Sequence, residues 1–187
     1  MRPLKTIVTA CLASVALIAP VAAQSLIRDT EIEHMLRDYA DPLLDAAGLT
    51  SSNVDLYIIA DPSINAFVTG GQNIFLHTGI IIEAETPNQL KGVIAHETGH
   101  IAGAHLARVG DGVGAAQVPM FISLGLGLLA AFAGEGGAAG ALMASSQQFG
   151  ALSFMTYSRA QEASADQAAL QYLEVSGQSS EGLVEFF

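Results

Sequence analysis

The residues best placed for chemistry lie in segment 92–108, where His96, Glu97 and His100 form a His-Glu-x-x-His motif. On an α-helix, residues four apart share one face and lie about 6 Å apart along the axis, so both imidazoles can reach one metal ion. Glu97 points about 100° away from His96, beside such an ion, where a carboxylate can take a proton from water. This arrangement is typical of zinc metalloproteases.

A catalytic zinc ion usually has three protein ligands and one open position, so the two histidines need a third partner. Segment 158–175 is rich in Ala, Gln and Leu and predicts a second helix. Its Glu162 and Asp166 are four residues apart and share a face. Glu162 can be the third ligand, and Asp166 can hold the free N–H of a zinc-bound histidine. A solvated acidic face is the alternative interpretation of this pair.

The helix that carries the histidine motif has a recognisable start. Thr86 or Asn88 can cap it, and Pro87 favours its first turn. Helical spacing then gives an apolar stripe, formed by Leu90, Val93, Ile94, Ile101 and Leu106.

Three further residues near the motif allow predictions. His105 lies nine residues after His96, about 180° round a continuous helix, so it is predicted not to share the ion. It is expected to be a polar side chain or an outer partner of a ligand. Gly99 and Gly103 weaken a helix interior, which predicts either the close approach of another backbone or access for a substrate.

The order His-Glu-Thr-Gly-His at 96–100 followed by Glu-Ala-Ser-Ala-Asp at 162–166 resembles the gluzincin peptidases, which include HtpX, BepA and the CAAX prenyl-protein endopeptidases. Segments 64–71 and 74–79 are also similar to that family. The resemblance implies an α+β zincin-like domain, mostly helical with a small β-sheet beside the active-site helix. It also implies a zinc endopeptidase with one ion per chain, held by the two histidines and Glu162, with Glu97 as the base.

Among the members of that family, the predicted leader peptide and the soluble segment that follows it look most like the periplasmic BepA type. That likeness implies unfolded, misfolded or misassembled envelope proteins as substrates, and the outer-membrane assembly machinery as a partner. The family domain normally runs further than Phe187, so the sequence is expected to be truncated. BepA-type proteins also carry a helical repeat region for partners, and no segment of this sequence is predicted to supply one.

The start of the chain has the composition of an export signal. Arg2 and Lys5 precede an apolar run over 7–21 and a small-residue cleavage site. Residues 1–23 are therefore predicted to be a secretory signal peptide, with an uncleaved membrane anchor as the alternative. Residues 24–187 are predicted to form one zinc metallopeptidase domain in the periplasm, with membrane association left open.

Charge and cysteine content exclude some functions. The chain has 18 Asp+Glu against 7 Lys+Arg, a formal net charge of −11, which disfavours nucleic acid as a partner. The acidity would suit basic partners or simply solubility. The one cysteine, Cys11, falls in the leader, so neither a disulfide nor a thiolate ligand is expected in the exported chain.

The upstream half of the domain predicts one helix and three strands. Apolar spacing indicates a helix over 25–49 with a break or kink at Pro42. Strands are predicted over 54–60, 66–69 and 74–82, the last two forming a hairpin. An edge strand there can hold an extended peptide by backbone hydrogen bonds, and the candidate substrate-binding residues are Asn65, Ala66, Phe67 and Gly70.

Segment 109–157 is almost uncharged and rich in Gly and Ala. A single membrane span there would separate Glu162 from His96, so the chain must go out and return, turning at 134–137. Polar residues in the middle of the return limb are costly in hydrocarbon, which favours a helical hairpin packed on the domain. Such a hairpin could be a mobile cover over the cleft or a rigid apolar layer, with insertion into a membrane as the alternative.

Two other functions fit parts of the sequence. A chaperone or binding module could hold zinc in a closed site, although a structural site fills its fourth position, typically with Cys or His. An integral membrane peptidase could use the hairpin at 109–157 as its anchor. Solubility of the exported chain without detergent separates this second alternative from a soluble peptidase.

Overall fold

The computed structural model describes residues 25–186, so the signal peptide predicted at 1–23 lies outside the described residues. The fold is α+β and mostly helical, as predicted, with one small sheet. In chain order the elements are β1 Leu26–Ile27, α1 Thr30–Ala46, β2 Asp55–Ile59, β3 Ala66–Thr69, β4 Asn73–His77, α2 Thr78–Glu83, α3 Pro87–Ala102, α4 Val109–Phe132, α5 Gly136–Val175 and α6 Glu181–Phe186.

The four strands form one mixed sheet in the order β1-β2-β4-β3. β3 and β4 pair as an antiparallel hairpin, with Ala66 opposite Leu76 and Thr69 opposite Asn73, which confirms the predicted hairpin. β2 lies parallel to β4 on its other side, and β1 pairs antiparallel with β2. β3 is therefore an edge strand of the sheet.

The strand predicted over 74–82 is wrong in its second half. β4 ends at His77 and the chain enters α2. Thr78 Oγ1 donates to the carbonyl oxygen of Asp61 at 2.8 Å, which turns the chain out of the sheet. The apolar residues after Thr78 are consecutive and do not alternate, so a helical turn can bury Ile80 in the core.

The helix predicted over 25–49 is shorter at its start and unbroken inside. Asp29 caps α1 by accepting hydrogen bonds from two backbone N–H groups of the first turn, and the preceding residues form β1 instead. Of the break or kink predicted at Pro42, the break is wrong, because α1 continues through Pro42 to its last turn. Leu43 and Leu44 on that turn are fully buried, and their packing offsets the hydrogen bond that proline cannot make.

The hydrophobic core lies between the sheet, α1 and α3, and is closed by the C-terminal half of α5 and by α6. α3 is buried along most of its length, so its His-Glu-x-x-His motif is held by the core itself. The largest fully buried side chains include Leu36, Leu43, Leu44, Ile58, Ile74, Leu76, Ile94 and Leu173.

α6 closes the core from the C-terminal side. Gly182 lies against the backbone of Asn88, and Gly92 of α3 lies against the backbone of Leu183, so the two helices touch without intervening side chains. Leu183 is buried and Phe186 packs against the core.

α4 and α5 form the hairpin that the sequence predicts, with Ala133, Gly134 and Glu135 in the turn. Its return limb and the helix that carries Glu162 are one unbroken helix of 40 residues. The predicted packing on the domain is wrong. Within the described chain, α4 lies along α5 and makes only isolated contacts with other elements, so the hairpin projects.

Because the hairpin is outside the core, its outer part should be removable. Replacing residues 115–146 by a short Gly/Ser linker is expected to shift the thermal unfolding midpoint by no more than about 4 °C, the change that ~1 kcal/mol gives in a domain of this size. Circular dichroism with heating measures this. A variant that loses cooperative unfolding would show that the hairpin is part of the core.

Candidate metal centre and cleft

The motif histidines lie in the buried middle of α3. Thr86 is the N-cap residue and Pro87 is in the first turn, as predicted, although the Thr86 side chain makes no capping hydrogen bond. Gln89 contributes at this end instead, because its side-chain oxygen accepts from the Glu85 N–H at 2.7 Å. The helix start is thereby tied to the loop before it.

His96, His100 and Glu162 bring one ligand atom each into a compact triangle. The two histidine Nε2 atoms are 3.0 Å apart, and Glu162 Oε2 lies 3.4 Å from His96 Nε2 and 3.5 Å from His100 Nε2. Ligand atoms on a tetrahedral zinc ion lie about 3.3 Å apart, given bonds of ~2.0–2.1 Å. The donor set and its spacing therefore fit a single metal ion of that size.

Glu162 reaches the histidines because α5 passes very close to α3. A β-carbon placed on Gly99 would lie 2.8 Å from the Ala165 carbonyl oxygen and 3.0 Å from its α-carbon. Any side chain at this position would push the two helices apart. The close backbone approach predicted at Gly99 is thus found, and it sets the distance between the motif and Glu162.

Each motif histidine has a second partner on its other ring nitrogen. Asp166 Oδ1 lies 2.9 Å from His96 Nδ1, where a carboxylate accepts the ring N–H and leaves the Nε2 lone pair facing the triangle. His105 Nδ1 lies 3.0 Å from His100 Nδ1. Each imidazole ring is therefore held in its orientation by a partner at Nδ1, the ring nitrogen that faces away from the triangle.

The predicted position of His105 on a continuous helix is wrong. α3 ends at Ala102, Gly103 occupies the C-cap, and Ala104 takes a positive φ of 51°. The chain turns back, and the His105 N–H donates to the His100 carbonyl at 3.1 Å. A β-carbon on Gly103 would collide with the His105 ring, so a side chain there would displace the ring from its place beside His100.

Glu97 lies beside the triangle and is buried. Burial, with a smaller contribution from the Glu162 carboxylate, raises the pKa of Glu97 to about 7. Burial also lowers the pKa of His100 and that of His105. The imidazoles are thus biased toward the neutral form that binds metals, and Glu97 can exchange a proton near neutral pH.

These side chains line a cleft of about 460 Å³. One wall lies at the start of β3, where Asn65, Ala66 and Phe67, the residues predicted to bind substrate, line the cleft. Gly70 is not among the lining residues, because it lies in the β3–β4 turn. The opposite wall comes from the base of the hairpin and was missed by sequence reasoning, namely Leu106, Val109, Phe154 and Tyr157.

The base of the hairpin is tied down by Tyr157. Its hydroxyl donates to the Arg108 carbonyl at 2.8 Å, and its ring occupies the space that a side chain at Gly112 would need. In the sequence, the only sign of this contact is a glycine on one helix and an aromatic residue on the helix that faces it. The contact of Tyr157 fixes where α4 leaves the domain, and it therefore fixes the position of the far wall of the cleft.

Comparison with known proteins agrees with this geometry. The sequence pattern of peptidase family M48 matches residues 27–187. A Vibrio cholerae protein, provisionally named a beta-barrel assembly-enhancing protease, is 30% identical over 168 residues, which is 88% of this chain and 34% of that protein. The beta-barrel assembly-enhancing protease of Escherichia coli K12 is 29% identical over 164 residues, 86% of this chain and 33% of its own length.

A shorter match reaches a eukaryotic enzyme. The mitochondrial metalloendopeptidase OMA1 of Schizosaccharomyces pombe is 34% identical over 65 residues, 35% of this chain and 19% of that protein. This chain spans about a third of the length of the bacterial relatives. The family pattern nevertheless covers nearly all the described residues, including both helices of the metal triangle, and the chain belongs to peptidase family M48.

Proposed function

We propose that this chain is the catalytic domain of a zinc-dependent endopeptidase. The observation that carries the proposal is the convergence of His96, His100 and Glu162, whose ligand atoms all lie within 4.8 Å of one another, beside the buried Glu97. The triangle opens into a cleft large enough for a peptide segment. Family membership supports a metal-dependent peptidase, and the donor set favours zinc.

Two histidines and one glutamate are a common set for catalytic zinc, with a fourth position left open. When bound, zinc acts as a Lewis acid that polarises a carbonyl group and makes water more acidic. Asp166 and His105 hold the two rings so that both Nε2 atoms face the same point. A set oriented in this way needs little rearrangement on binding the ion.

Glu97 supplies the proton transfer in this proposal. Its carboxylate lines the cleft, and its pKa of about 7 lets it accept a proton from the attacking water at neutral pH. The same group can then donate that proton to the nitrogen of the leaving amine. One carboxyl group thereby serves both halves of peptide hydrolysis.

The substrate is proposed to lie along β3. That strand is at the edge of the sheet, so its outer backbone groups can pair with an extended peptide whatever the peptide's side chains are. Asn65, Ala66 and Phe67 line the cleft and are the proposed contacts. Gly70 lies beyond the cleft, so it is not a proposed substrate contact.

Substrates and location follow from the relatives and from the predicted leader. Two relatives are named as beta-barrel assembly-enhancing proteases. By analogy we propose that this chain acts in the periplasm on misfolded or misassembled envelope proteins, in contact with the outer-membrane assembly machinery. The apolar walls of the cleft suit unfolded segments of such proteins.

A closed structural zinc site fits the structure less well. Such a site needs a fourth protein ligand, and among the described residues only His96, His100 and Glu162 form a metal-binding group. His105 contacts His100 through Nδ1, on the opposite side of the ring from the triangle. The open fourth position favours catalysis over a binding module.

Removing the third ligand should weaken zinc binding. Glu162→Ala leaves two protein ligands, so zinc affinity is expected to fall by more than ~100-fold, the upper end for loss of an outer partner. Competition with a chromophoric chelator measures the affinity. Glu174→Ala, an exposed carboxylate on the same helix, is the matched control and should bind zinc normally. Equal affinities for the two variants would show that Glu162 is not a ligand.

Removing the base should separate binding from catalysis. Glu97→Gln keeps the size and polarity of the side chain but cannot accept a proton. Casein cleavage is expected to fall at least ~100-fold while zinc content stays at one ion per chain. Glu83→Gln, an exposed carboxylate on α2, serves as the control and should retain full activity. Turnover by Glu97→Gln close to that of the control contradicts the proposed mechanism.

A further inference from the structure

The hairpin of α4 and α5 has its large apolar residues on the outside. Phe132 is 87% exposed, and the other large outward side chains on the distal part of α4 are at least half exposed. Water-soluble helix pairs bury such residues between the helices, because burial removes apolar surface from water. The outward residues on the distal part of α4 are Val118, Phe121, Ile122, Leu126, Leu129 and Phe132.

The inside of the hairpin is made of small residues. Gly112, Ser123 and Gly127 are the buried positions of α4, and Ala139, Ser146 and Gly150 are among those of α5. A β-carbon on Gly150 would lie 3.1 Å from the carbonyl oxygen of Ala116, so the backbones nearly touch. Ser123 Oγ donates across the pair to the Leu142 carbonyl at 2.7 Å.

Small residues and a hydroxyl bond between two helices, with large apolar residues outside, characterise helix pairs in lipid. In a lipid environment the outward residues are already solvated by acyl chains, so close backbone packing holds the helices together. In water the same arrangement would leave the apolar outer face of α4 exposed to solvent. Two independent features, the small interface and the exposed apolar face, therefore indicate one environment.

The outer sides of α4 and α5 differ in polarity, and this difference decides which helix faces the lipid. α4 is the one described helix that is long and apolar enough to cross a membrane. The outer surface of α5 also exposes large apolar residues near the base, such as Leu152 and Met155, but midway along the hairpin it carries the exposed amides of Gln147 and Gln148. The exposed Glu135 lies at the tip. Those groups disfavour burial of the whole hairpin in hydrocarbon, so only α4 faces the acyl chains.

We propose that the outer face of α4 docks into the acyl-chain boundary of a phospholipid membrane, with the hairpin lying along the surface and α5 toward water. At 24 residues, α4 is about 36 Å long, so its outward side chains form a long apolar contact surface. The chain's negative charge adds no attraction to anionic lipids. Binding therefore rests on apolar contact, and the cleft at the hairpin base lies close to the membrane.

Flotation with neutral phosphatidylcholine vesicles tests the contact, using the chain from Gln24 onward so that the predicted leader is absent. The protein is expected to float with the vesicles and to do so equally at high salt. Leu126→Glu and Leu129→Glu are expected to reduce the bound fraction at least ~10-fold. Ile82→Glu, on an exposed apolar residue outside the hairpin, is the matched control and should float like the unchanged chain.

Tryptophan fluorescence tests the orientation, because the chain has no tryptophan of its own. Phe121→Trp on α4 is expected to be quenched by brominated phosphatidylcholine, whereas Met155→Trp on the outer side of α5 is not. Deep quenching of both would overturn the surface orientation in favour of a transmembrane hairpin. No flotation, or equal loss in Ile82→Glu, overturns lipid binding. A dimer that Leu126→Glu dissociates, without flotation, assigns the face to a second copy of the chain.

Discussion

The approach of α5 to α3 at Gly99 is the contact on which the rest of the structure depends. Glycine at this position lets the backbone of Ala165 lie against α3, and this places both Glu162 and Asp166 at the motif histidines. One helix then brings two carboxylates to the histidines in successive turns. A side chain at position 99 would push the helices apart and move both carboxylates away from the histidines.

The same contact concentrates negative charge in a partly buried cleft. Glu97, Glu162 and Asp166 lie around the imidazoles of His96 and His100, with no lysine or arginine among the residues that line the cleft. Burial, and to a smaller extent the Glu162 carboxylate, raises the pKa of Glu97. A bound divalent cation would be the largest local charge and would favour the ionised carboxylates. The electrostatics and the ligand geometry thus both fit a divalent cation at this site.

Sequence reasoning succeeded where short-range spacing decides the outcome. The four-residue spacing of His96 and His100, and that of Glu162 and Asp166, predicted two helical faces that the structure brings together. Their ligand and catalytic roles stay predictions until metal is measured. The β3–β4 hairpin was predicted because its turn residues are local signals.

The failures have tertiary causes. The end of α3 at Ala102 and the return of His105 depend on the fit of a ring against Gly103, which no periodicity shows. The helix after His77 depends on a hydrogen bond to Asp61, and the unbroken α1 on burial beyond Pro42. The projection of α4 could not be predicted, because an apolar sequence fits a packed core and a lipid contact equally well.

Zinc K-edge X-ray absorption on the metal-loaded chain tests the central claim most directly, because it counts the imidazole rings around the ion and measures bond lengths. The account predicts four-coordination with two imidazoles and a carboxylate oxygen, all at about 2.0–2.2 Å, and one further light atom from solvent. A first shell containing three imidazoles would mean that His105 turns to bind the ion in place of Glu162. That result would contradict the proposed site.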